Sequence, residues 1–214
     1  MQKIICDASS LISLSENCML SLLPKMKADF IIPLAVKREL VDKPLNVYEF
    51  ELKALRLRKA INDGIIKLDT TNVRSLSDEI MHEANSLFDP KMRIVHKGEA
   101  DCLALMKKLD AETLLIDERT TRMLIECPSE LGEYIRRKTH SKAILNEEKA
   151  MRFQKRFSDI HVIRSSEIAA YAYDHGLFEG LGDGKCLHAC LYALKFSGCA
   201  ITRKEINQYI KLLA

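Results

Sequence analysis

Short apolar runs alternate along this chain with longer segments of helical periodicity, and this alternation restricts the fold more than any other feature. The runs that we predict as strands lie at residues 3–6, 30–33, 65–68, 113–117 and 161–163. Apolar residues at three- and four-residue spacing between these runs predict helices. Strands joined through helices pair in parallel, and the crossovers place helices on the faces of one sheet. We therefore predict an α/β fold, a three-layer α/β/α sandwich around a parallel sheet.

The length and the distribution of charge predict one large domain with an appendage. A chain of 214 residues is longer than an average domain of about 150 residues but too short for two. The predicted domain covers residues 1–178 and includes a charged insertion at about 126–155. Residues 179–214 are predicted to form a helical C-terminal extension, in which Thr202 and Glu205 have the capping-box spacing that opens a helix.

Composition places the chain among ordinary globular proteins. Apolar residues make up 47% of the sequence and charged residues 29%, which excludes a disordered, collagen-like or coiled-coil chain. No apolar run reaches the ~18 residues of a membrane span, and no secretion signal is recognisable, so we expect a cytoplasmic protein without a membrane partner. Seven cysteines, an odd number, favour reduced thiols over disulfides. The net charge of +3 neither requires nor excludes a nucleic-acid partner.

Four acidic residues are placed where an open sheet binds its ligands. Asp7 and Asp117 follow predicted strands, and sites in such sheets form beyond the carboxyl ends of the strands. Glu39 and Asp101 lie on predicted helices from which they can point into the same crevice. Carboxylates gathered there repel one another unless a cation neutralises them, and oxygen ligands suit Mg²⁺ or Mn²⁺. The four acids together therefore predict a cation site.

Each of these acids also has a purely structural interpretation. An acid after a strand is a common loop residue, and Glu39 has Lys37 and Arg38 beside it for a surface ion pair. Asp101 begins a helix and complements its dipole, a role for which Glu99 has the stronger claim. Asp101 nevertheless precedes an apolar run, so it adjoins buried positions rather than the solvated face of the helix.

Four segments, taken in order, resemble the PIN-domain family of metal-dependent nucleases. They are CDASSLI at 6–12, VKREL at 36–40, GEADCLAL at 98–105 and LIDERTTR at 115–122. The resemblance covers roughly residues 3–125 and, more loosely, 162–178. It implies a parallel sheet between layers of helices, and a carboxylate cluster that binds Mg²⁺ or Mn²⁺ and cleaves RNA.

The resemblance also implies roles for individual residues. The matching positions for catalysis and metal binding are Asp7, Glu39, Asp101 and Asp117. Ser9 matches the small polar residue that supports the cluster, and Glu99 and Glu118 are additional acids beside the third and fourth positions. The expected function is a Mg²⁺-dependent endoribonuclease. The alternative is a non-catalytic PIN-fold module that binds nucleic acid or protein.

Basic residues supply candidates for contact with RNA. Arg136, Arg137 and Lys138 form the densest basic stretch, which can follow a phosphate backbone but equally suits a solvated helix end. Arg122, one turn beyond the strand that precedes Asp117, is a further candidate for a substrate phosphate contact. Besides RNA, the resemblance is compatible with an antitoxin or processing-complex protein as a partner and with a homodimer.

Overall fold

The computed structural model describes residues 1–140, 142–178, 180 and 185–213. Its strands are β1 (Gln2–Cys6), β2 (Ala28–Pro33), β3 (Ile66–Asp69), β4 (Phe88–Asp89), β5 (Thr113–Leu115), β6 (Ile144–Leu145) and β7 (His161–Ile163). Its α-helices are α1 (Ala8–Glu16), α2 (Leu34–Lys37), α3 (Tyr48–Asn62), α4 (Arg74–Asn85), α5 (Lys97–Leu109), α6 (Arg119–Glu126), α7 (Pro128–Thr139), α8 (Glu147–Arg156), α9 (Ser165–Asp174), α10 (Cys186–Phe196) and α11 (Arg203–Leu213). Short 3₁₀ turns at Met19–Lys25 and Pro44–Asn46 complete the pattern.

Five strands form one parallel sheet in the order β3-β2-β1-β5-β7. The central strand β1 pairs on one side with β2, where Ile4 lies opposite Phe30, and on the other with β5, where Ile4 lies opposite Thr113. The chain reverses its direction of growth between these two neighbours of β1, which makes this the topological switch point of the sheet. Asp7 and Asp117 therefore follow adjacent strands at the same edge.

Helices cover both faces of the sheet, so the predicted three-layer sandwich is confirmed. Helix α5 packs across β1, β2 and β5, and α4 lies against α5. Helix α1 contacts α3 and α9 in the other layer. Because both faces are covered, the central strands are apolar without alternation, and Ile5 and Leu114 are fully buried.

The helix that we predicted around Glu39 is not regular. Helix α2 ends at Lys37, and a π-helical turn at Arg38–Asp42 continues the chain. A π-turn inserts one extra residue and so rotates the side chains that follow, and such turns are frequent at functional sites. Glu39 lies in this turn.

The segments outside the central sheet are ordered by their own contacts. In the predicted insertion, β6 pairs antiparallel with β4 from outside it, and Phe88 lies opposite Leu145. In the extension, Thr202 and Glu205 form the predicted capping box at the start of α11, at 2.8 and 3.1 Å. The division at residue 178 stays a prediction, and residues 179 and 181–184, just after it, lie outside the described residues. None of the helices that the structure describes has the length and apolar character needed to cross a membrane.

Candidate active site

The edge between β1 and β5 is held together by Asp7 and Ser9. The Asp7 N–H donates to the Leu115 carbonyl at 2.9 Å, which extends the sheet by one residue. Asp7 caps α1, and its Oδ2 accepts hydrogen bonds from the Ser9 N–H at 3.0 Å and from the Ser9 hydroxyl at 2.7 Å. The same hydroxyl accepts from the Asp117 N–H at 3.1 Å. Ser9 thus ties the Asp7 carboxylate to the end of β5.

The Asp7 carboxyl group is buried beside another acid. Its residue is 4% exposed, and this burial raises the pKa of Asp7. The bonds from Ser9 oppose the rise, whereas the negative charge of Glu118 adds to it. No ion pair to Asp7 occurs within the described residues, so the structure itself provides no counterion for an ionised Asp7.

Glu39 reaches the same region because Gly98 has no side chain. A Cβ atom at position 98 would lie 2.9 Å from Glu39 Oε2, closer than Cβ atoms approach, and 3.2 Å from Oε1, a tight contact. The glycine therefore lets the Glu39 carboxylate lie against the first turn of α5. Burial raises the pKa of Glu39, and the charges of Asp7 and Asp101 raise it further, against a smaller opposite effect of Lys43.

Glu99 and Glu118 complete the group of acids around Asp7. The Glu99 carboxylate accepts the His96 N–H at 2.6 Å, and Glu118 caps α6 by accepting the Thr121 N–H at 2.8 Å. Glu99 is 6% exposed. Burial, followed by the charge of Asp7, raises the pKa of Glu99 from 4.5 to about 8, and Glu118 adds to this shift. We call Asp7, Glu39, Glu99 and Glu118 the acid cluster.

Asp101 lies beside the acid cluster but already has a cation of its own. Its Oδ1 is 3.0 Å from Lys97 Nζ and also accepts the Ser77 hydroxyl. The Lys97 ammonium donates in addition to Asp78 Oδ1 at 2.9 Å. The sequence placed Glu99 and Asp101 in competition for one role. The structure instead brings Glu99 toward Asp7, and Asp101 toward Glu39 and Lys97.

Asp117 has hydrogen-bond partners of its own. Its Oδ1 accepts the Ser165 N–H at 2.7 Å and its Oδ2 accepts the Ser165 hydroxyl at 2.6 Å, so both oxygens bind the first residue of α9. Asp117 is 1% exposed. The next residue, Glu118, faces Asp7 and Glu99 instead. Of the four acids implied by the resemblance, the structure brings Glu39 within reach of the charges of Asp7 and Asp101, pairs Asp101 with Lys97 and bonds Asp117 to Ser165.

The chemistry of the acid cluster fits a hard divalent cation. Its donors are carboxylate oxygens, the ligands that Mg²⁺ and Mn²⁺ prefer. Burial raises the pKa of Asp7, Glu39 and Glu99, and neighbouring carboxylates add to the rise, so a cation would stabilise their ionised forms. In the described part of the chain, no three His, Cys, Asp or Glu side chains are already arranged around one cation position.

The predicted phosphate contacts differ in where the structure places them. Arg122 donates to the Ala200 carbonyl of the C-terminal extension at 3.4 Å and lies 3.6 Å from Glu126 in its own helix. The substrate contact expected at Arg122 stays a prediction. Arg136, Arg137 and Lys138 are exposed in the last turn of α7, and Arg137 pairs with Glu133.

Arg119, which was not among the predicted RNA contacts, connects the basic stretch to the acid cluster. Arg119 directly follows Glu118, and its guanidinium lies 4.7 Å from the centre of the Tyr134 ring. Lys138 Nζ lies 5.6 Å from the same ring. Tyr134, an aromatic residue within a basic helix, was the available signal. The first turn of α6 and the last turn of α7 consequently share one surface.

Comparison with known families agrees with the fold and the position of the site. A family model, DUF3368, described as a PIN domain, matches residues 3–126. The match contains every residue of the acid cluster as well as Ser9, Gly98, Asp101 and Asp117. No curated protein and no solved structure matches the chain significantly.

Proposed function

The chain belongs to the PIN-domain family, whose fold is nuclease-like, and from this premise we propose that it is a Mg²⁺-dependent endoribonuclease. The acid cluster is the observation that carries the proposal. Four carboxylates lie beyond the carboxyl ends of adjacent parallel strands, where α/β sheets place their reactive sites. Three of the four have raised pKa values, and perturbed acids in such a position favour a functional site over a structural one.

The residues that would hold Mg²⁺ or Mn²⁺ are Asp7, Glu39, Glu99 and Glu118. This set keeps the first two acids implied by the resemblance and takes Glu99 and Glu118 in place of Asp101 and Asp117. Lys97 and Ser165 support the change, because they already satisfy the other two carboxylates. When bound, the cation supplies Lewis-acid activation of water and stabilisation of the leaving oxygen in phosphodiester cleavage.

Other residues of the site position the acids. Ser9 fixes the Asp7 carboxylate through two hydrogen bonds, and Gly98 leaves the space that Glu39 occupies. Asp117 anchors α9 to the end of β5 through Ser165. Glu99 holds a proton at neutral pH without a cation and must release it when a cation binds. Cation affinity is therefore expected to increase as the pH rises toward 8.

We assign the surface formed by Arg119, Arg136, Arg137 and Lys138 to the phosphate backbone of the RNA. It begins next to Glu118 and continues over Tyr134 to the end of α7. If each cation contacts one phosphate, replacing all four with alanine reduces the slope of log K against log salt by about 0.7 per contact on single strands. Alanines at Arg203 and Lys204 in α11, which are also exposed, are the control and should leave the slope unchanged. An unchanged salt slope in the fourfold variant would show that these four side chains are ordinary solvated surface residues and do not contact the RNA.

A cleavage assay on circular single-stranded RNA tests the proposal directly. A circle has no ends, so only an endonuclease linearises it. We expect cleavage with Mg²⁺ or Mn²⁺, none with a chelator, and a loss of at least about 100-fold for Asp7→Asn, since even outer partners of metal ligands are worth 10–100-fold. Asp7→Asn, purified in parallel, also reveals contaminating nucleases, and Glu148→Gln on the exposed side of α8 is the control that should retain activity. Binding of RNA without cleavage under any divalent cation would favour the non-catalytic module.

A further inference from the structure

Helix α3 presents a second apolar surface, on the side that faces away from the core. Its inner side packs through the buried residues Ala54, Leu57 and Ala60. On the outer side, Tyr48 is 98% exposed, Leu52 63% and Leu55 37%. These three residues follow one another at spacings of four and three, so they form a continuous stripe along the helix. Water-facing side chains in such an array are typical of an interaction surface.

The stripe has the spacing of a coiled-coil seam. Tyr48, Leu52, Leu55 and Lys59 occupy successive core positions of a heptad pattern, and we call these four residues the α3 seam. The residues beside the seam are Glu49 and Arg56 on one flank and Glu51 and Arg58 on the other. These are the positions that choose the partner of a coiled-coil helix. In the described residues none of these four flanking side chains forms an ion pair within the chain, so their charges are available to another molecule.

We propose that α3 pairs antiparallel with α3 of a second copy of this chain. In that arrangement Leu52 of each copy lies against Leu55 of the other, and Tyr48 lies against Lys59. Each flank then matches unlike charges, Glu49 with Arg56 and Glu51 with Arg58 of the second copy. The surface is therefore complementary to itself, as a twofold interface must be.

The sequence of α3 also selects the orientation. A parallel pair would place Lys59 against Lys59 and the two helix dipoles side by side in the same direction, both of which are unfavourable. The antiparallel pair replaces the first contact with Lys59 over the Tyr48 ring, a cation–π arrangement. Fifteen residues of helix extend about 22 Å. A contact of that length is at the small end of protein interfaces, below about 1,200 Å², so the dimer is weak and reversible.

Charge reversal tests the pairing in a way that a loss-of-function variant cannot. One variant carries Glu49→Arg and Glu51→Arg, so that both flanks are positive, and the other carries Arg56→Glu and Arg58→Glu, so that both are negative. Sedimentation velocity, over about two decades of concentration up to the high micromolar range, should show a dimer for the unmodified chain and a monomer for each variant alone. An equimolar mixture of the two variants should dimerise again.

Two further measurements keep the test decisive if a variant folds poorly. Leu52→Gln with Leu55→Gln should weaken dimerisation by at least tenfold, about the effect of losing 1.4 kcal/mol. Leu212→Gln, at an exposed leucine of α11, serves as control and changes nothing. In a mixture of Tyr48→Cys and Lys59→Cys, each with Cys18→Ser, oxidation should cross-link position 48 to position 59. The proposal is overturned by a chain that stays monomeric at every concentration, by a dimer that survives both charge reversals, or by cross-links between identical positions.

Discussion

The acid cluster and a second, partly buried group both lie beyond the carboxyl ends of the parallel strands, yet their charges are organised in opposite ways. The second group, which we call the Arg164 network, consists of Arg164, Glu167, Glu205 and Tyr209. Arg164, 7% exposed, binds Glu167 at 2.7 Å and Glu205 at 2.8 Å, and Tyr209 donates to Glu167. In the acid cluster, within the described part of the chain, no such cation bridges the carboxylates.

The pKa values record this difference. Burial acts to raise the pKa of Glu167, but the hydrogen bonds and charge of Arg164 outweigh it and the pKa is lowered. Glu205 shows the same balance: burial opposes ionisation, whereas Thr202 and Arg164 lower its pKa to about 2. In the acid cluster burial prevails, and the pKa of Glu99 rises to about 8. Carboxylates compensated within the chain therefore stay ionised in the folded protein, whereas the uncompensated ones either hold a proton or are open to a cation from outside.

The first prediction compares RNA cleavage by variants of Glu99 and of Asp101, the neighbouring acid that has a lysine partner. Glu99→Gln removes a carboxylate that lacks a counterion, and we expect RNA cleavage to fall by at least about 100-fold. Asp101→Asn keeps the bond from Ser77 and leaves the acid cluster intact, so we expect a loss of about tenfold or less. Single-turnover cleavage rates at saturating Mg²⁺ measure both. The reverse order would restore Asp101 as the ligand that the resemblance implies.

The second prediction removes the cation from the compensated group. Arg164→Met leaves Glu167 and Glu205 without their partner, which costs about 3–5 kcal/mol for a fully buried pair. Because the two glutamate side chains are 29% and 32% exposed, we expect a smaller loss of unfolding free energy, about 2–3 kcal/mol. Urea denaturation measures it.

Arg152→Met is the matched control for Arg164→Met. Arg152 pairs with Glu148 on the exposed side of α8, where both side chains are about three-quarters exposed. A pair of this kind contributes about 0–1 kcal/mol. If both substitutions lowered the free energy of unfolding by the same small amount, the Arg164 network would contribute no more than a surface ion pair. The contrast with the acid cluster would then fail.

The sequence was sufficient to predict the framework of this site, because local periodicity and strand order define it. The strands predicted at 3–6, 30–33, 65–68, 113–117 and 161–163 are all present, with ends that differ by three residues at most. Their parallel order places Asp7 and Asp117 at adjacent strand ends, as predicted. Glu39 approaches Asp7 even though a π-turn, invisible in the periodicity, carries it.

The choice between neighbouring acids could not be predicted, because distant residues decide it. Asp101 accepts a hydrogen bond from Ser77, 24 positions earlier, and Asp117 accepts one from Ser165, 48 positions later. No local sequence pattern predicts either contact. Gly98 was visible in the sequence, but its function depends on the approach of Glu39 from another element. Long-range hydrogen bonds, rather than propensities, therefore separate the cluster acids from the anchoring acids.

The third prediction concerns the pH dependence of stability without a divalent cation. The pKa of Glu99 is about 8 in the folded chain against an ordinary value of 4.5, so between these values the folded state binds a proton that the unfolded state has released. Stability must then decrease as the pH rises from 5 to 8. Each unit of pKa difference is worth about 1.4 kcal/mol, and we expect a decrease of at least about 1 kcal/mol.

Glu99→Gln isolates this contribution from those of other titrating groups. The glutamine cannot ionise, so the decrease from pH 5 to pH 8 should be smaller in the variant than in the unmodified chain. Urea denaturation at both pH values, with a chelator present, gives the difference. Saturating Mg²⁺ should also reduce the decrease in the unmodified chain, since the cation stabilises the ionised form. Identical pH profiles for the two proteins would show that Glu99 titrates normally.

The smallest effect is expected from Asp7→Asn in the absence of a cation. The substitution removes one of the repelling charges, and both hydrogen bonds from Ser9 reach a single oxygen, Oδ2, which the amide oxygen of asparagine can replace. We expect the melting temperature to stay equal or to rise slightly, by the equivalent of about 0–1 kcal/mol. Added Mg²⁺ should stabilise the unmodified chain more than the variant, because only the former keeps the full set of ligands.

Asp117→Asn is the variant with which the melting temperature of Asp7→Asn should be compared. Asp117 uses both oxygens to accept hydrogen bonds from Ser165, and an asparagine NH₂ group cannot accept the second. The variant should therefore be less stable with or without Mg²⁺, by about 1–3 kcal/mol for an unsatisfied buried group. Parallel thermal melts of the two variants decide between the roles. If Asp7→Asn melts as far below the unmodified chain as Asp117→Asn does, Asp7 is an anchoring acid like Asp117, and the acid cluster loses the residue around which the others gather.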